Sequence, residues 1–164
     1  MTETERTYEL AEAFEGLREQ VFALSTETME ARDGVFALLM ETGYAEAVVA
    51  VLAAADGSAS LYFSNGGGII GAGEYGQVRE VVFETLTLIR AHAAAFETVD
   101  VHPLPTPGQT RFFVVADRGV LSAAVQQATL VADQHALAPL FHQVHKLIAF
   151  IRAAEEHRQG RNPA

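Results

Sequence analysis

Chemistry in this chain would have to start at Ser64-Asn65-Gly66-Gly67-Gly68-Ile69-Ile70-Gly71-Ala72-Gly73-Glu74, where five glycines fall within the eight positions 66 to 73. Gly66, Gly68 and Gly71 satisfy the spacing G-x-G-x-x-G, in which glycines permit a tight turn and close approach of a pyrophosphate to a helix amino end. The context argues against a dinucleotide site. The preceding strand reads as half of a hairpin, and no acidic residue closes a strand about twenty residues further on. No Gly-Lys-Ser/Thr follows, so the loop is not a Walker motif. Two readings stay open for Ser64, Asn65, Gly66, Gly67, Gly68, Gly71 and Gly73. They form an anion or small-ligand site on exposed amides, or a turn whose glycines adopt positive φ and let another backbone pass closely. Ser64 has no assignable base beside it, which argues against a nucleophile.

His142 and His145 are three residues apart, a spacing that can bring two imidazoles to one metal, with Asp133 and His135 upstream as further donors. Nothing in the sequence makes four ligands converge, and a solvated pair is the plainer expectation. No metal site and no cofactor is therefore predicted. His92 falls on an apolar helix stripe, where a hydrogen-bonded core histidine is expected. The carboxylates Glu155 and Glu156 lie near a helix end and should be solvated. The chain contains no cysteine, which removes thiolate chemistry, disulfides and Cys-type zinc sites.

Charge narrows the partners. The 164 residues carry a formal charge of −10, and the imbalance is concentrated in residues 1–46, with eleven acids against Arg6, Arg18 and Arg32. Such an end repels polyanions, and no basic stripe is available for phosphates, so nucleic-acid binding is not expected. The acidic stretch reads as a solvated helix face or as a docking surface for a basic partner. With 49% hydrophobic and 20% charged residues the chain can bury a full core, so it is not a disordered chain. No run of eighteen apolar residues and no leader pattern is present, so a cytoplasmic protein without membrane attachment is expected.

The elements that would position these residues follow from periodicity. Leu10, Phe14, Leu17, Val21 and Leu24 recur at three- and four-residue intervals, a narrow helical stripe suited to its own sheet or to an interface with another chain. Val35 to Met40 is read as a strand bounded by Gly34 and Gly43, and Val48 to Leu52 as a strand buried on both faces. Asp56-Gly57 predicts a hairpin turn into Leu61-Tyr62-Phe63. Glu74 to Phe96 predicts a long helix, with Val78, Val81, Val82, Thr85, Leu88 and Ile89 on its inner face. Thr98 to Leu104 alternates, predicting an edge strand with Val99 and Val101 on one face and Asp100 and His102 on the other, ended by Pro103 and Pro105. Arg111 to Asp117 and Val120 to Val125 predict a second hairpin. A last helix should begin near Pro139 and run to about His157.

The expected fold is therefore α+β, an antiparallel sheet of five to six strands with an N-terminal helix, a long central helix and a C-terminal helix. The organisation expected is an acidic helical region over 1–34, one α+β domain over 35–158 and a tail over 159–164. From Val48 to Ile151 this layout resembles the roadblock/LC7 family of profilin-like domains: a hairpin about Asp56-Gly57, the helix 74–96, the strands between Val99 and Val125 and a closing helix. The resemblance implies a non-enzymatic homodimer that acts as a scaffold or regulator through protein contacts, with a small GTPase or another protein as partner. The Leu10–Leu24 stripe would contribute to those contacts. The alternative is a small-ligand or anion-binding protein or enzyme using the Gly66–Gly73 loop. A third reading is a subunit of a larger assembly docked through the acidic helix.

Overall fold

The computed structural model describes residues 8–161. Residues 1–7, including Arg6, and 162–164 of the expected tail lie outside the described residues. The fold is α+β, built on a seven-stranded antiparallel sheet. Its strands are β1 (Val35–Gly43), β2 (Val48–Ala54), β3 (Ala59–Phe63), β4 (Gly68–Ile69), β5 (Glu97–Val99), β6 (Gln109–Ala116) and β7 (Gly119–Gln126), in the order β4-β3-β2-β1-β6-β7-β5. The helices are α1 (Glu12–Phe22), α2 (Gly76–Ala91), α3 (Gln127–Val131) and α4 (Ala138–Arg161). Among the described residues, no helix is long and apolar enough to cross a membrane.

The run from Val35 is the central strand, flanked by β2 and β6, and this explains why it is apolar on both faces. Leu38 and Met40 point to the side covered by α2 and α4, where Val82, Phe112, Leu140 and Leu147 complete the larger core. Leu39 points to the opposite side, with Leu52, Phe113 and Val115, beneath Phe14 and Val21 of α1. An isolated eleven-residue helix is marginal in water, and Ala11 gives α1 no side-chain cap, so α1 exists because this face holds it.

Several expectations change. The sheet has seven strands rather than five to six, because the glycine-rich segment itself supplies β4, pairing Gly68 with Tyr62 and Ile69 with Leu61. The central helix is shorter than 74–96: it spans Gly76–Ala91, with 3-10 turns over Ala72–Glu74 and Ala93–Ala95. The edge strand ends at Val99. Beyond it the chain leaves the sheet edge and crosses the α1 side, so the expected alternation fails: Val101 is 70% exposed, while His102 turns inward onto Phe22. A short helix, α3, follows β7, and α4 continues through Gln159 and Gly160, so no tail begins at 159.

The hairpin about Asp56-Gly57 forms as expected. Ser58 donates its backbone N–H to the Asp56 carboxylate at 2.8 Å, and Gly57 takes φ +91°.

Candidate functional site

The glycine loop is used locally. Ser64 is fully buried, and its hydroxyl accepts the Val48 N–H at 2.8 Å, tying the loop to β2. Gly66 donates to the Phe63 carbonyl at 3.0 Å and Phe63 to the Gly67 carbonyl at 3.2 Å, closing the β3–β4 turn. A Cβ at Gly68 would land on the Leu61 carbonyl, and one at Gly73 on the Gly57 carbonyl, so both positions are glycine because backbones meet there. Gly66, Gly67 and Gly71 take positive φ, and Asn65, Gly66 and Gly67 are exposed. A phosphate cradle leads straight from a strand into a helix. Here a second strand and a 3-10 turn intervene before α2 begins at Gly76.

The histidines separate. His142 lies 2.7 Å from the Asp133 carboxylate on the surface, whereas the His145 ring leans on Phe141 at 4.5 Å. Burial, reinforced by the nearby His142, holds His145 below the usual imidazole range. His135 accepts the Leu137 N–H at 3.0 Å, a local turn at the start of α4. Among the described residues no three His, Asp or Glu side chains come together as a metal site would require. His92, just past the end of α2, bonds the Leu88 carbonyl of that helix at 2.8 Å.

Of the five stripe residues, Phe14 and Val21 are buried on the chain's own sheet and Leu17 and Leu24 are half-buried against it. Leu10 alone of the five is exposed, at 38%. The stripe is spent within the chain and does not stand free for a second one.

The most polar buried feature is one the sequence reading passed over. Glu41, on β1, has no exposed surface, and Arg18 of α1 grips it with two bonds, Nε to Oε2 at 2.8 Å and Nη2 to Oε1 at 3.0 Å. The same Nη2 donates to the His102 carbonyl at 2.9 Å, so one guanidinium fastens α1, the central strand and the 100–107 crossing together. Arg111, opposite Glu41 in register, adds a second positive charge. Burial pushes the Glu41 carboxyl up and the two arginines oppose it. His102 stacks on Phe22 at 3.9 Å, and burial and Arg18 lower its pKa. Glu41 could have been noticed as the one acid inside an apolar strand, and Arg18 as the one base on an acidic helix. Bonded to each other and to the crossing segment, Arg18 and Glu41 act as a structural clamp.

Against known proteins, the chain matches no family model, no curated protein and no solved structure.

Several clefts open on the helix side, among them two along α4. One, of about 620 Å³, lies between the start of α2 and the second half of α4, with Tyr75 and Val78 facing Phe150, Ala153 and Ala154. The other, of about 360 Å³, lies between α4 and the ends of β1 and β2.

Proposed function

We propose that this protein is a non-enzymatic, cytoplasmic homodimer that serves as a scaffold or regulator through protein contacts, with a small GTPase as the partner class that the roadblock/LC7 resemblance implies. The observation that supports it is the outer face of α4. Ala149 and Ala153 are exposed and Phe150 and Ala154 half-buried, so small residues beside an aromatic ring leave room for another helix to approach closely along the groove. A twofold interface uses the same patch on both subunits, so it must tolerate its own charges. The acidic ridge of α1, with Glu12, Glu15 and Glu19 exposed, would repel a copy of itself. The α4 face carries both signs, with Glu155 and Glu156 beside Arg158, and is compatible with a copy of itself.

Sedimentation equilibrium at micromolar concentration tests this reading. The expected result is a dimer that Ala153→Glu converts to a folded monomer, because two carboxylates would then be buried against each other. A monomeric wild type, or a dimer indifferent to Ala153→Glu and Phe150→Glu, overturns it.

A further inference from the structure

We propose that the cleft between α4 and the ends of β1 and β2 binds a small carboxylic acid with a compact apolar body. This inference goes beyond the scaffold reading and uses a different face of α4. Its floor is apolar: Met40, Val49, Val51 and Leu61 come from three adjacent strands, and Ile148 closes the helix side. Thr42 also lines it, and its hydroxyl is bonded to that of Thr110 at 3.0 Å. The volume, about 360 Å³, lies at the small end of the range of ligand pockets, which are mostly apolar with a few polar groups at the mouth.

Those polar groups are present. His145, Ile148 and Arg152 recur at three- and four-residue intervals, so one face of α4 presents them all to the cleft. Arg152 makes no ion pair among the described residues, and it is the one arginine that lines this cleft. In a chain of net charge −10, an arginine left free at the mouth of an apolar cleft is a ready carboxylate receptor. Tyr44 stands at the same mouth. Its hydroxyl oxygen accepts from Gln127 Nε2 at 3.3 Å, which leaves its O–H to donate to a ligand. His145, whose pKa burial and the nearby His142 lower, lines the same mouth with its ring N–H. One guanidinium over an apolar floor suits a monoanion. A phosphate ester or polyanion would meet too few donors and an acidic protein.

The probes are 3-methylbutanoate and phenylacetate, titrated by calorimetry against their neutral amides at fixed ionic strength, with acetate as the ion control. The acids should bind saturably, the amides about tenfold more weakly. Arg152→Met should weaken the acids by about tenfold while leaving the amides unchanged, and Arg152→Lys should recover part of the loss. Arg152 is exposed, so these variants should fold, and an unchanged melting temperature without ligand confirms it. Equal binding of acid and amide, equal binding by wild type and Arg152→Met, or no binding at about 10 mM overturns the proposal. None of these outcomes alters the association measured by sedimentation, so the two proposals fail independently.

Discussion

A carboxylate with no exposed surface must be held in its charged form or neutralised, and for Glu41 the holding group is Arg18. Removing one partner of a buried pair leaves the other desolvated and uncompensated, which costs about 3–5 kcal/mol, far more than the pair contributes relative to an apolar replacement. Arg18→Met should therefore lower stability by about 3 kcal/mol, readable as a fall in melting temperature of about 6–12 °C for a domain of this size. Arg18→Lys, which keeps the charge but loses the two-pronged grip, should fall between that variant and wild type. A loss below about 0.5 kcal/mol for Arg18→Met would mean that Glu41 is protonated in the native state and needs no partner. This pair was poorly legible in the sequence. Periodicity reports which face is apolar and says nothing of a contact between residues 18 and 41, on different elements. The candidates that sequence reading singles out, the glycine loop and the histidine pair, stand out by composition and local spacing, which need not coincide with spatial convergence.

At the scale of elements, hydrophobic texture carried more. The hairpin about Asp56-Gly57, the central helix and the closing helix were all visible, because each depends on local turn chemistry or on a stripe within one segment. What was missed depends on neighbours. β4 is two residues long and exists only because β3 offers an edge, and the alternation of Thr98 to Leu104 is overridden once the chain crosses to the α1 side. The glycines separate the two uses of their loop. Gly73→Ala drives a Cβ into the Gly57 backbone carbonyl and Gly68→Ala into that of Leu61, whereas Gly67→Ala meets open space and suffers only its φ of +89°. Chemical denaturation should show Gly67→Ala costing about 1 kcal/mol. Gly73→Ala, where backbone blocks backbone, should cost about 2 kcal/mol or more. Equal losses at the two positions would show that close backbone approach is not what requires glycine at 73.

Over the whole molecule, the class of fold was readable in the alternation of strand runs with helices, but the order of strands was not, since pairing between distant segments leaves no local trace. That order sets β1 between β2, its immediate successor, and β6, whose residues arrive some seventy positions later: Glu41 faces Arg111, and Leu39 faces Phe113. During synthesis, then, β1 to β4 can assemble as a meander with its most apolar strand left at the rim. Leu38, Leu39 and Met40, fully buried at the end, wait with one row of backbone groups unpaired until residue 116 has emerged. Emergence at roughly 5–20 residues per second makes that interval several seconds, long compared with hairpin formation. A fragment ending at residue 106 should accordingly be made but recovered as aggregate, while co-expression with a separate piece carrying residues 107–164 should return part of it to the soluble fraction. A monodisperse, soluble 1–106 fragment would mean that β1 does not need β6 to be shielded. The strand that anchors the finished protein is thus the one most exposed to misassembly at birth.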